Sequence, residues 1–315
     1  MIMIGDTIDS GDDLYRQNVQ FQYHKYFGIF LCIYYGSYLI PVIVLVVYFF
    51  LIFKPLFLGV SDLIVMLTSF ESLLILLSFP LVLIGVYFLH MYLIGGLTRI
   101  FWSYTEKKSP TKDGIIPRNI RSKTLDYYHY RSFMLKYGKN AFMKSIFPWL
   151  SNWFFNVVGA SVIEKGSTCE ESVSSDRNVH VKRNVYMGVN SALASHLVEG
   201  IFGNIVYFKV TVGENSTLGG FNIIAPGCEL RDNSYLLPMA AATKYNVTKG
   251  NNYYYGMPLR RIFKKKIMDY LKITEEDLNR SENLRIKQEN EKLERVSKEK
   301  RKKNRMRNKG EKLNE

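Results

Sequence analysis

Aliphatic residues return at every sixth position between Val157 and Leu236. Val157, Ile163, Cys169, Val181, Met187 and Leu193 share one frame, in which Ser175 is the only polar member. The frame resumes, displaced by one, at Val212, Leu218, Ile224, Leu230 and Leu236, after a nineteen-residue gap that reads as three sixes plus one. Two units are close to ideal, MGVNSA from Met187 and VGENST from Val212: aliphatic first, glycine second, small fifth. A chain that turns a corner every six residues closes a triangular coil every eighteen, and fixed-period self-similarity of this kind marks a stacked solenoid. The first residue then points into a narrow axis. The fifth is squeezed against a wall, as Ser161, Ser167, Ser191, Ser216, Cys228 and Ser234 allow. The fourth falls near the corner, where positive φ suits Asn178, Asn184, Asn190, Asn215, Gly227 and Asn233. The pattern predicts a left-handed parallel β-helix over 157–262 rather than an antiparallel domain with evenly spaced turns.

Upstream the period changes to none. Phe27–Phe53 carries no charge, and Ser72–Thr98 has His90 as its one basic group. Each run exceeds the ~20 apolar residues that span a bilayer, which predicts a transmembrane hairpin over 26–99. Pro41 and Pro80 fall inside the runs, where membrane helices tolerate kinks. The connector Lys54–Glu71, apolar from Leu63 to Leu67, lies at the surface or re-enters. Arg99, Lys107, Lys108, Lys112, Arg118, Arg121 and Lys123 follow the second span, whereas the connector has only Lys54. That bias puts both termini and the β-helix in the cytoplasm. Residues 100–156 are basic and aromatic, with helical spacing from Tyr127 onward. They read as interfacial amphipathic helices packed against headgroups, or alternatively as an acceptor-binding surface.

Charge sharpens these boundaries. The net +14 of the 315 residues is uneven: residues 99–150 carry +8, 151–259 are neutral and 260–315 carry +9. The segment 1–25 is acidic (Asp6, Asp9, Asp12, Asp13) and lacks the basic start of a secretory signal. Residues 263–315 read as a charged helix to about Glu299 and a basic tail, suited to anionic lipid rather than nucleic acid. Cys32, Cys169 and Cys228 are too few and scattered for a disulfide framework or a zinc site, and no metal-ligand spacing or phosphate loop occurs. The fold class is therefore membrane α plus all-β: two transmembrane helices, a left-handed parallel β-helix and a charged C-terminal helix or tail.

The six-residue period and the closing Gly256-Met257-Pro258 resemble the hexapeptide-repeat acyltransferases. More narrowly, residues 27–262 are similar to one unit of the membrane C-terminal region of nonribosomal-peptide-synthetase-like proteins of the poly-lysine synthetase type. That unit carries Thr/Ser-His-x-x-Glu one hexad after an Ile-Gly repeat; here Met187-Gly188 leads to Ser195-His196-Leu197-Val198-Glu199. Val212-Gly213 and Leu218-Gly219 match the following Val-Gly repeat, and Tyr255 the closing aromatic. The chain departs from the family in having one unit, no adenylation or carrier domain, and atypical residues between Gly200 and Lys209.

The resemblance implies acyl transfer. His196, at a corner in register with Asn178, Asn184 and Asn190, would be the general base; Glu199 would fix its tautomer. The donor would be a thioester on coenzyme A or on a carrier-protein phosphopantetheine, with Lys209 or Lys244 as the basic groups near donor phosphates. A homotrimer with sites at subunit boundaries is also implied, as is an acyl-carrier partner. The alternative is a non-catalytic trimeric platform that holds a partner at the membrane. A corner usually taken by Asn can also be filled by a histidine with no chemistry; His180 is another corner-adjacent histidine, and His24, His90 and His129 have no constellation around them in the sequence.

Overall fold

The computed structural model describes residues 23–147, 149–170, 177–200 and 203–262, with scattered residues from 274 to 290. Two compact units result, Met1–Arg261 and Ile262–Glu315. In the second, the described Glu276, Asn279, Arg280, Asn283, Ile286, Lys287 and Asn290 are helical. The acidic N-terminal residues, Ser175 and the basic tail lie outside the described residues.

Helix α1 (Tyr23–Tyr48) continues as wider π-helical turns over Phe49–Leu58, around Pro55. Asp62 accepts from the Ile64 N–H at 2.8 Å to start α2 (Leu63–Thr68), and Ser69 caps α3 (Phe70–Lys108). Both long helices run on through Pro41 and Pro80. Tyr23–Leu58 and Phe70–Lys108 are each long and apolar enough to cross a membrane, and only 11% and 6% of their most apolar windows are buried. At 1.5 Å per residue the 39 residues of α3 reach roughly 58 Å, well beyond a ~30 Å hydrocarbon layer. The exposed aliphatic side chains accordingly concentrate between Leu39 and Phe88.

Elsewhere the two helices are partly covered by protein, with Tyr26, Ile33, Met91, Ile94 and Trp102 buried. Ser122 caps α4 (Lys123–Met143), and α5 (Leu150–Val158) ends at Gly159 with φ +81°. Leu125, Met134, Leu135 and Phe142 of α4 are buried, and Phe142 stacks on Phe154 of α5 at 4.7 Å. Gly138 makes that crossing close: a Cβ there would come within 2.3 Å of the Phe154 ring. The apolar face expected to meet headgroups is thus buried between helices, because α3 is long enough to offer it a packing surface. Arg131, buried on the same helix, pairs with Glu106 and donates to the Ser109 carbonyl at 2.8 Å. Val157 belongs to the last turn of α5, so the strands begin later than the sixfold pattern suggests.

Three walls of short parallel strands follow. The first stacks β2 (Val162–Ile163), β4 (Val179–Val181), β9 (Val210–Val212) and β12 (Glu229–Leu230). The second stacks β3 (Thr168–Cys169), β5 (Tyr186–Met187), β10 (Thr217–Leu218), β13 (Ser234–Leu236) and β15 (Asn252–Tyr255), with β16 (Arg260–Arg261) added antiparallel. The third stacks β6 (Ala192–Leu193), β11 (Ile223–Ile224) and β14 (Ala241–Ala242). Partners such as Ile163 and Val181, or Leu218 and Leu236, lie eighteen residues apart. The axis is filled by Val181, Met187, Leu193, Val212, Leu218, Ile224 and Leu230, each at most 1% exposed.

One coil is longer. Val181 pairs with Val212, Met187 with Leu218 and Leu193 with Ile224, each thirty-one residues apart. The nineteen-residue gap is therefore one six plus thirteen inserted residues, not three sixes plus one. The insertion escapes the period because it leaves the coil as an antiparallel hairpin, β7 (His196–Glu199) and β8 (Asn204–Tyr207), with β1 (Gly114–Ile116) along its free edge.

Candidate functional site

The hairpin lifts His196 off the corner that the sixfold frame assigns to it. Cross-strand pairing sets His196 opposite Tyr207 and Val198 opposite Ile205. These side chains share one hairpin face, since alternate residues of a strand point the same way. Beneath that face Ile116, Leu125, Tyr128, Ile205 and Tyr207 form a second, smaller core. Tyr128 of α4 meets the His196 ring edge-on at 5.8 Å and the Tyr207 ring at 5.7 Å. The imidazole is half-buried on the flank of the coil, neither inside it nor at an outward corner.

Glu199 lies elsewhere. Three residues along a strand reverse the face, so its carboxylate points away from His196 and pairs instead with Lys244 of the coil. The tautomer-fixing pair anticipated from the motif is not the arrangement present, and Lys244 is committed to Glu199 rather than open to a donor phosphate. Ser195 is wholly buried and donates to the Arg177 carbonyl at 2.7 Å, closing one rung onto the rung eighteen residues earlier. The backbone N–H of Lys209, where the chain re-enters the coil, donates to Asp113 at 3.0 Å.

The aromatic neighbours of the imidazole carry a buried cation in turn. Arg177, 1% exposed, lays its guanidinium over the Tyr128 ring at 4.0 Å and donates to the Tyr128 carbonyl at 3.0 Å. Such a desolvated cation–π contact adds about 2 kcal/mol. His129, next on α4, is held down to about 4, first by burial and then by Arg118 and Arg177. It is neutral at physiological pH. None of Tyr128, His129 and Arg177 was singled out in the sequence as part of this site, because the contacts come from an inserted hairpin closing on a helix far upstream.

A true histidine–carboxylate pair exists on the first wall. His180 Nε2 lies 2.9 Å from Glu164 Oε1, whose other oxygen is 3.4 Å from Arg183. His180 borders a cavity of about 310 Å³ with Trp102, Glu106 and Lys209. The signal for this pair was available: in an eighteen-residue coil, outward residues sixteen to twenty apart become neighbours. Among the described residues no three His, Cys, Asp or Glu side chains gather as metal ligands.

No family model matches the chain, and no curated protein does. Among solved structures it is similar to a maltose O-acetyltransferase from Clostridium difficile 630, with 16% identity, 54% of this chain and 87% of that one covered, and a TM-score of 0.27. A galactoside acetyltransferase in complex with coenzyme A gives 18%, 54%, 81% and 0.29 in the same order. A hexapeptide-repeat-containing acetyltransferase from Vibrio cholerae gives 12%, 40%, 85% and 0.29.

Proposed function

We propose that this chain is a membrane-bound acyltransferase of the hexapeptide-repeat class. Its left-handed β-helix would stand at the cytoplasmic face on a two-span anchor. It would move an acyl or aminoacyl group from a thioester, on coenzyme A or a carrier-protein phosphopantetheine, to an amine or hydroxyl. Kinship with the poly-lysine synthetase-type unit belongs to the same proposal. The observation that carries it is the inserted hairpin: an otherwise regular coil is interrupted once, among the described residues, and the interruption presents His196 beside Tyr128, whose ring carries the Arg177 guanidinium on its face.

In this reading His196 removes the proton from the acceptor as that atom attacks the thioester carbonyl. Collapse of the tetrahedral adduct breaks the carbon–sulfur bond, and the imidazolium returns the proton to the leaving thiolate. Glu199 acts through Lys244, as a positioning residue that ties the hairpin to the coil. A homotrimer would complete the binding groove between subunits. An apolar pair supports self-association: Phe221 and Met239, eighteen residues apart at one corner, are 59% and 70% exposed. Large exposed apolar patches of this kind mark interaction surfaces.

The second reading is a non-catalytic trimeric platform for a carrier protein or other partner. It is favoured by the half-buried imidazole and by a Glu199 spent on Lys244. Acyl-CoA consumption by membranes holding wild type or His196→Ala, with amine and hydroxyl acceptors, separates the two. Loss of turnover in an unchanged oligomer supports the enzyme; no turnover in either form supports the platform.

A further inference from the structure

A cavity of about 640 Å³ opens between the two long helices and the end of α4. Its walls are graded. Val42, Leu45, Leu83 and Val86 line the end that lies within the exposed aliphatic belt. Tyr38, His90, Tyr137, Asn140, Lys144 and Ser145 line the other end. That polar end is built, not incidental: His90 donates from Nδ1 to the Ser37 carbonyl at 3.1 Å, the Tyr137 hydroxyl lies 3.4 Å from Nε2, and the Tyr38 ring packs on the imidazole with centroids 4.0 Å apart.

The polar end also coincides with the rim of the belt. Ile146 and Trp149 beside it are 74% and 63% exposed, as residues that enter the headgroup region would be. Lys144 makes no ion pair among the described residues. Two carbonyls of the last α4 turn already accept backbone hydrogen bonds, Asn140 from the Lys144 N–H at 3.2 Å and Phe142 from the Ser145 N–H at 3.3 Å. Lys144 and Ser145 line a second cavity of about 620 Å³ as well, with Asn152, Thr168 and Cys169, so the polar mouth continues toward the first rungs of the coil. Residues 134–150, which form this end of α4 and the chain after it, carry Lys136, Lys139 and Lys144 and no acidic residue, complementary to an anionic leaflet.

We infer that this cleft binds one anionic phospholipid, its acyl chain between the two long helices and its phosphate at Lys144 and Ser145. The inference rests on the two-span part of the proposed function, not on the chemistry at His196. The two places are far apart: Tyr128 and Lys144 are sixteen residues distant, roughly 24 Å of α4. The lipid is thus a structural ligand that fixes α4 and the coil at the membrane surface, not the acyl acceptor.

The full chain, in vesicles of phosphatidylcholine doped with a photoactivatable phosphatidic acid, tests this. An alkaline carbonate wash first reports whether the chain is integral, which judges the two-span reading separately. The expected result is a crosslink concentrated in the peptides spanning 38–45 and 137–146. It should fall at least fivefold in Leu45→Trp, which fills the cleft, and in Lys144→Glu, an exposed change that leaves the helix intact. A diacylglycerol probe of the same chains should label weakly, and millimolar inorganic phosphate should not compete. Labelling spread evenly over Leu39–Phe88 and unaffected by Lys144→Glu would overturn the inference, as would equal labelling by diacylglycerol.

Discussion

Asn178, Asn184, Asn190, Asn215 and Asn233 all adopt φ between +54° and +56°, and Gly227 +75°, as their place in the hexad required. Asn184 donates to Asn215 at 3.2 Å and Asn233 to Asn251 at 2.9 Å, so the corners are also laddered. Replacing Asn215 by Ala should cost about 1–2 kcal/mol, and by Gly much less, because only Ala suffers the left-handed clash; thermal unfolding in detergent measures the difference. Glycine at the second position has a different cause. A Cβ on Gly213 would lie 2.4 Å from the Asp232 amide nitrogen on the next rung. Gly213→Ala should therefore lose about 1–3 kcal/mol by overpacking, in the same melts. These residues were legible because each answers to a local geometry that repeats. Phe221, Met239 and Tyr245, with φ of +52°, +63° and +59°, occupy corners that composition alone would not assign. The coil dictates their backbone at a cost their side chains do not reveal.

The hairpin is where reading along the chain failed. Thirteen extra residues equal two sixes and one, so an antiparallel excursion passed for a slipped frame. Strand geometry then separates His196 from Glu199, a pair that looked coupled while both were imagined on coil corners. The α4 helix beneath the hairpin makes its own prediction. His129 binds its proton at about 4 when folded and near 6.5 when unfolded, first because burial penalises the charged ring. The unfolded chain thus binds more protons between these values, and stability must fall as pH drops from about 6.5 toward 4. Chemical denaturation across that window should show the loss, and His129→Gln should flatten it. A profile identical in both proteins would remove His129 from the account.

At the scale of the molecule, two long apolar helices were the most legible feature, since length and the absence of charge suffice to mark them. What they could not show is that α4 and α5 pack on one side of the two helices, where Ile33, Met91 and Ile94 are buried, while the exposed aliphatic side chains concentrate between Leu39 and Phe88. The exposed corner pair of Phe221 and Met239 argues for copies meeting along the coil. Met239→Glu should convert a trimer to monomer by mass photometry with the sheet signal unchanged; an unaltered mass would place any interface elsewhere. The most direct test of the whole account is release of free thiol from an acyl thioester by wild type and by a chain lacking residues 196–208. That deletion restores a six-residue step from Leu193 to Val212. The account predicts thiol release by wild type and none above background by the deletion, whose parallel coil still folds. Equal release by the two, or none by wild type, would contradict it.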